Sequence, residues 1–537
     1  MIRGGTLAPT AREGRSSARP RRGPSRWLLL AAFLVLVPVA LPIVSLFATV
    51  LANLGALDTV LSLERLVELT GRSVLLVATV TATALVVGTS LAWVLVRTDL
   101  PGRRLWSIAV ALPLAIPSYV IALTLLAFSG PRGLFQDLAG VALPVFDGFF
   151  GAWLALSLST FPYVFLLTAE SFRSIDPSLE EAARGLGASP TRVFRTITLP
   201  QLRPALGAGA LLSGLYALSD FGAVSLMRYD TFTRAIYAQY AGRLDRTPAA
   251  TLSILLIVLA LAFIWGEQRS RGRGELWSRT VRRPAPMHIL TMPGRAGSRV
   301  WLSIVVLAGV VLPAFVLVAW VARGVAAGSI VEFDWGALGG TLLVSVLAAV
   351  VATLFAIPVA ILTVRHPGRV ATWVDRLVGV TYSLPHITVA LAVLVFTLAW
   401  LRPLYQGLGV LVVAYAAVFL SQAAGAATSA LRTVNPNLEE ASRGLGRSSG
   451  ATLVRVTLPL IWRGLLAGAA LVFLTTVKEL PITLLLRPTG LDTLAVRVWS
   501  AAGELFYANA AMSALLLVLV SVVPAYLLVI KPRAVRA

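Results

Sequence analysis

The 537 residues include no cysteine, three histidines and two lysines, and only 13% of them are charged. Without cysteine there is no disulfide, no thiolate nucleophile and no cysteine-held metal. His288, His366 and His386 are far apart in sequence and lack the ligand spacing of a metal centre. His386, set in an apolar run, reads as an interior group satisfied by a neighbour. A nucleotide-binding P-loop needs Gly-x-x-x-x-Gly-Lys-Ser/Thr, and neither Lys478 nor Lys531 stands in that context. The chain therefore reads as having no catalytic centre, no ATPase site and no cofactor of its own. Acidic residues are scarce too, 24 against 46 basic ones, and the charge of +22 raises nucleic acid or an anionic surface as a partner.

What is abundant is apolar: 57% of the residues, with a mean hydropathy of +0.84, the composition of a membrane protein. Runs long enough to span a bilayer fall near residues 27–52, 74–96, 106–127, 150–170, 205–227 and 249–266, then 301–322, 340–363, 377–400, 409–431, 464–486 and 509–530. The predicted fold is an all-α polytopic membrane protein of about twelve transmembrane helices in two parallel six-helix repeats. Residues 1–26 hold seven arginines and one acid, and the apolar run after them is too long for a secretory leader. They read as a retained cytoplasmic tail, and the Arg21-Arg22 pair is set aside as an export signal because so many spans follow. Residues 267–300, rich in Arg, Pro and Gly, read as a cytoplasmic linker between halves 27–266 and 301–530, and 531–537 as a second cytoplasmic tail. With both termini inside, 34 of the 46 basic residues lie on the inner face, 11 on the outer face and one, Lys478, within a span. That is the asymmetry of the positive-inside rule, so the charge excess faces anionic lipid and needs no nucleic acid.

The halves are copies. Residues 175–200, IDPSLEEAARGLGASPTRVFRTITLP, align without a gap to 434–459, VNPNLEEASRGLGRSSGATLVRVTLP, at an offset of 259. Each segment lies between the fourth and fifth spans of its half, on the inner face. Asp176 and Asn435 suit a helix N-cap, Pro177 and Pro436 the first helical position, and Glu180, Glu181, Glu439 and Glu440 the first turn, where the helix dipole favours carboxylates. Leu179, Ala182, Ala183 and Leu186 recur at helical spacing as one narrow apolar stripe. Gly185 and Gly187 end the helix, and Ser189-Pro190 caps a second one that runs to Leu199-Pro200. Such a hairpin either packs on its own protein or, offered once per half, docks in grooves of a two-fold symmetric partner. Pro200 and Pro459 are expected to interrupt the chain just before the next span and so pass force to it.

These segments resemble the EAA motif of the type I ABC importer permeases: EAA, three residues, Gly, nine residues, then Ile-x-Leu-Pro. Glu181-Ala182-Ala183, Gly187 and Ile197-Thr198-Leu199-Pro200 match throughout. Glu440-Ala441-Ser442, Gly446 and Val456-Thr457-Leu458-Pro459 depart only by Ser442 for Ala and Val456 for Ile. The resemblance implies type-1 transmembrane cores at about 72–266 and 340–530, in a bacterial inner membrane. It also implies two copies of a cytoplasmic ATPase subunit, which bind ATP and Mg and receive the hairpins, and an extracytoplasmic substrate-binding protein. Membrane lipid is the remaining partner.

Ionisable residues within a membrane are functional candidates by default. Asp220 and Glu479 are related by the same offset of 259, and Lys478 adjoins the second. They read either as acids flanking the outer mouth or gate of the pathway or as partners of Lys478 in an ion pair holding the bundle. Pro117 and Pro385, each five residues before an Ala-Leu pair, are expected to kink pore-lining helices. The stretches 219–240 and 478–508 resemble the fused permeases for ferric iron more than those for thiamine, polyamines, sulfate or phosphonates. Tyr229, Asp230, Tyr237 and Tyr240 offer hard oxygen donors for such a cargo, or else form an aromatic belt facing a delivery protein. A proton- or sodium-coupled twelve-helix carrier with Asp220 or Glu479 as its ion site is the alternative, and it would leave the paired hairpins without a use.

Overall fold

The computed structural model describes residues 23–53, 62–131, 133–243, 245–270, 289–331, 333–381 and 383–526. Most of the basic tail, the middle of the linker with His288, and the C-terminal tail with Lys531 lie outside the described residues. Every regular element described is helical. In the first half these are α1 (Arg26–Ala52), α2 (Leu63–Arg97), α3 (Arg103–Ala111), α4 (Ser118–Phe128), α5 (Leu134–Ala139), α6 (Gly148–Ser174), α7 (Pro177–Gly185), α8 (Pro190–Val193), α9 (Leu199–Ser219), α10 (Gly222–Leu226), α11 (Phe232–Gly242) and α12 (Thr247–Ser270). The second half holds α13 (Met292–Val306), α14 (Leu312–Ala326), α15 (Trp335–Arg365), α16 (Arg369–Thr381), α17 (His386–Trp400), α18 (Leu408–Val418), α19 (Leu420–Arg432), α20 (Pro436–Gly444), α21 (Ser449–Thr452), α22 (Leu458–Val477), α23 (Pro481–Leu486), α24 (Leu494–Gly503) and α25 (Tyr507–Ala525).

The sequence predicts twelve continuous spans, and the helices differ from that. Among the described residues eight helices are long and apolar enough to cross a membrane unbroken, and three bent pairs bring the total to 11. The pairs include Arg103–Ala115 with Ser118–Phe128, bent by 94°, and α16 with α17, bent by 105°. The twelfth run is α9, 21 residues long and the repeat counterpart of α22, whose apolar character is diluted by Arg203, Pro204 and several glycines. The linker is also shorter than 267–300, because polar residues continue both flanking helices beyond the apolar core. Thus α12 reaches Ser270, and α13 begins at Met292 with Thr291 as its N-cap and Pro293 in its first turn.

Three helices form the frame of each half: α2, α6 and α9 in the first, α15, α19 and α22 in the second. Close approach in the first frame depends on Gly88, where a Cβ would lie 2.7 Å from Val164 Cβ and 2.8 Å from the Phe161 carbonyl oxygen. The halves exchange their first spans. Helix α1 packs on α15, α17 and α18, while α13 and α14 pack on α3 and α4. Trp301 Nε1 donates to Ser90 at 3.1 Å and Trp320 Nε1 to the Ala127 carbonyl at 3.2 Å. Just after α2, Asp99 accepts from the Leu290 amide at 2.9 Å and pairs with Arg295, contacts that hold its carboxyl below the usual carboxylate range.

Candidate functional site

Both repeated segments form the expected helical hairpins. Asp176 and Asn435 accept from the amides of Ser178 and Asn437, each at 3.0 Å, and Ser189 and Ser448 cap the second helices. Gly187 and Gly446 both sit at φ 83°, a left-handed backbone that other residues adopt at a cost. Glu181, Ala182, Glu440 and Ala441 are exposed, and so is the apolar stripe: Leu179 and Leu186 are 51% and 90% exposed, Leu438 and Leu445 50% and 84%. Ser442, the second copy's departure from the motif, is buried and hydrogen-bonds Thr452 at 3.0 Å, tying its hairpin together. The corresponding positions of the first copy hold Ala183 and Val193, an apolar pair for a polar one.

Each hairpin is anchored by its first glutamate. Glu180 accepts from Arg97 Nη2 at 3.0 Å and Nη1 at 3.2 Å, from Thr198 at 2.8 Å and from Arg184 at 3.3 Å, and the Arg97 and Glu180 side chains are 3% and 4% exposed. Glu439 repeats the arrangement with Arg365 at 3.1 Å and Thr457 at 3.1 Å, and Arg365 also donates to the Val434 carbonyl at 3.1 Å. The arginines end α2 and α15, so each hairpin is pinned to the C-terminal end of its half's longest frame helix. Sequence reading counted Arg97 and Arg365 only as inner-face charge. The signal was present at a different offset, 268, because the first half has nine more residues between α4 and its hairpin: Ser118 to Glu180 is 62 residues, His386 to Glu439 is 53.

The expectation that Pro200 and Pro459 interrupt the chain is corrected. Residues Phe194–Thr198 and Leu453–Thr457 are π-helical, and the amides of Leu199 and Leu458 donate five residues back, to the carbonyls of Phe194 and Leu453. The wider turn absorbs a proline ring and its missing N–H without a break. Ser449–Val477 is one continuous span as a result, and α8 runs into α9 likewise. The hairpin's second limb and the fifth span of its half form one lever.

The intramembrane candidates prove to be one system. Pro117 and Pro385 do not kink helices from within; they stand in extended backbone at the breaks and start α4 and α17. The first residues of those helices meet the two acids: Ser118 donates to Asp220, and His386 Nδ1 lies 2.8 Å from Glu479. Each acid also caps the short helix after it, Asp220 accepting from Ala223 at 2.9 Å and Glu479 from Ile482 at 3.1 Å. Gly222 permits this packing, since a Cβ there would lie 2.7 Å from Tyr119 Cβ. Lys478 forms no carboxylate pair among the described residues. Its Nζ donates to the Leu114 carbonyl at 2.8 Å, and Tyr119 donates to the Lys478 carbonyl at 3.4 Å, so the break in one half is joined to the break in the other.

The four hard-oxygen candidates are not gathered. Asp230 is held by Arg65 at 3.0 Å, Arg72 at 3.8 Å and Arg234. Burial would raise its carboxyl, but the arginines outweigh burial and hold it below the usual range. Tyr229 donates to the Arg72 carbonyl at 3.2 Å, Tyr237 packs on Phe221 and Trp499, and Tyr240 lies under Arg246. Among the described residues no three His, Asp or Glu side chains form a metal cluster.

Residues 84–266 and 352–535 each match the model of the family "binding-protein-dependent transport system inner membrane component". The chain is 32% identical to the Fe(3+)-transport system permease protein FbpB 2 of Haemophilus influenzae over 516 residues, 95% of this chain and 99% of the relative. It is 37% identical to the sulfate transport system permease protein CysT of Salmonella typhimurium over 26% of this chain and 50% of that one. To the molybdenum transport system permease protein ModB of Escherichia coli it is 35% identical over 32% of this chain and 80% of that one. Two matches, each carrying one pinned hairpin and one capped acid, place this chain in the family of binding-protein-dependent transport system inner membrane components, as a permease of the ABC importer class with both repeats on one polypeptide.

Proposed function

We propose that the chain is the whole membrane pathway of a bacterial ferric iron importer. It sits in the inner membrane with both termini in the cytoplasm and receives its cargo from an extracytoplasmic binding protein. Two copies of a separate ATPase subunit dock on the α7–α8 and α20–α21 hairpins and supply ATP and Mg; the permease itself is not an enzyme and holds no cofactor. Glu180 and Glu439 keep the hairpins pinned, Glu181-Ala182-Ala183, Glu440-Ala441 and the leucine stripes meet the ATPase, Ser442 braces its hairpin from within, and Leu199-Pro200 and Leu458-Pro459 lie on the levers that carry its motion into the membrane. The Asp220 and Glu479 caps, with Lys478, Pro117 and Pro385, form the moving joint of the pathway.

The observation that carries the ATPase reading is the duplicated hairpin, buried by its glutamate and exposed along its leucines. The ferric reading rests on the relative that matches nearly the entire chain, whereas the sulfate and molybdenum relatives match 26% and 32% of it. The test is uptake of labelled iron, sulfate and molybdate in a deletion strain with and without the restored gene. Loss and recovery confined to ferric iron is the expected result. Loss confined to an oxyanion would overturn the cargo and leave the importer class in place.

A further inference from the structure

A cleft of about 1450 Å³ opens on the outside of the first half, between α2, the hairpin and α9. Its walls are apolar, with Val86 and Trp93 on α2 exposed at 70% and 36%, and Leu206 facing them from α9. Its inner end is basic. Arg97, Arg184 and Arg203 line it against one acid, Glu180. Arg203 is exposed and forms no ion pair among the described residues, while the buried Arg97 has an Nε without an acceptor. From Arg97 up to Val86 is eleven residues, roughly 16 Å at a rise of 1.5 Å per residue, which is about half the thickness of a bilayer core.

We infer that this cleft binds one anionic phospholipid of the inner leaflet, its phosphate on Arg203 and Arg184 and an acyl chain along Val86, Trp93 and Leu206. Basic pockets between helices on the cytoplasmic side favour anionic headgroups. The repeat supplies an internal comparison. The counterparts of Arg203 and Gly207 are Trp462 and Leu466, 50% and 55% exposed, so at these two positions the second half carries bulky apolar side chains in place of a free charge and a glycine. The lipid would thus bridge α2, α9 and the first hairpin only, and brace the lever next to its Glu180 anchor.

The test is native mass spectrometry of the permease with its ATPase subunits, offered phosphatidylglycerol or phosphatidylcholine. Wild type should retain one phosphatidylglycerol more tightly than phosphatidylcholine. Arg203→Gln, at an exposed position, should weaken retention about five-fold, and the double change Arg203→Trp with Gly207→Leu, which copies the second half, should abolish it. Unchanged retention in both variants would overturn the proposal. So would displacement of the lipid by millimolar inorganic phosphate, which would make this a free-phosphate site, or the absence of any retained lipid from the wild-type complex because the ATPase subunit covers the cleft.

Discussion

Replacing Glu180 by glutamine tests whether the buried pair, rather than the motif's exposed glutamate, holds the hairpin in its working place. Arg97 and Glu180 are almost wholly buried, and the carboxylate takes four side-chain donors at 2.8 to 3.3 Å. Removing one partner of such a pair leaves a buried charge uncompensated, at about 3 to 5 kcal/mol. Because 1.4 kcal/mol is a factor of ten, a loss of about 3 kcal/mol raises the undocked fraction of the hairpin roughly a hundred-fold. Glu439→Gln should cost less, since the Arg365 and Glu439 side chains are 14% and 12% exposed and Arg365 keeps the Val434 carbonyl. Substrate uptake and ATPase turnover in proteoliposomes should separate in Glu180→Gln, with turnover falling less than uptake, and the defect should exceed that of Glu439→Gln. A combined Arg97→Met and Glu180→Met change should restore thermal stability, because an apolar pair replaces an ionic one, while hairpin position and uptake stay impaired. Wild-type uptake and an unchanged melting temperature in Glu180→Gln would refute the reasoning.

Leu186→Asp and Leu445→Asp alter exposed side chains, so folding should change by less than about 0.5 kcal/mol while co-purification of the ATPase subunit is lost. Gly187→Val and Gly446→Val force a side chain into a left-handed turn at roughly 1 to 2 kcal/mol each, which differential calorimetry of the complex should register along with weaker docking. Gly222→Ala drives a Cβ into Tyr119 and should lower stability by about 1 to 3 kcal/mol; a neutral result would mean that α10 shifts freely. Asp99 is held below its ordinary value of 3.8 by the Leu290 amide and Arg295, so its contribution is fully present above that value and lost as the pH falls through its lower folded one. Asp99→Asn should reproduce the acid state at neutral pH, and hydrogen exchange at the Leu290 amide should quicken.

Class and hairpins were legible because each is a local pattern: apolar runs, and caps spaced as a short helix requires. The anchors were not, since Arg97 and Glu180 are 83 residues apart and an arginine at the end of an apolar run looks like any inner-face charge. The bends at Pro117 and Pro385 were located but misread as kinks. Hydropathy registers the apolar content of α3–α4 and α16–α17 and is blind to a right-angled turn within it. Of the two readings of the intramembrane charges, the ion pair between Lys478 and a carboxylate does not form among the described residues: Glu479 faces His386 and Ile482, and the lysine meets a carbonyl of the other half. Tyr229 donates to a backbone carbonyl, Tyr237 packs on Phe221 and Trp499, Tyr240 lies under Arg246, and Asp230 is held by arginines.

What the two halves share and where they differ divides the molecule along the membrane normal. At the hairpins the copies agree in the Arg–Glu–Thr anchor, the left-handed glycine and the exposed leucines. Deeper in the membrane the agreement lapses into paired substitutions: Ser118 faces Asp220 where His386 faces Glu479, and Ser219 stands where the second half has Lys478. A single cargo moving between two walls puts no demand on those walls to be alike. Fusion of both repeats into one chain removes the last constraint, because each wall is then encoded separately. The asymmetry has a measurable consequence: Lys478→Met breaks a link between halves for which Ser219 offers no substitute, so one such change should loosen the joint, raising ATP turnover without cargo, whereas Ser219→Ala should leave it as it was. Equal basal turnover in the two variants would place the joint elsewhere.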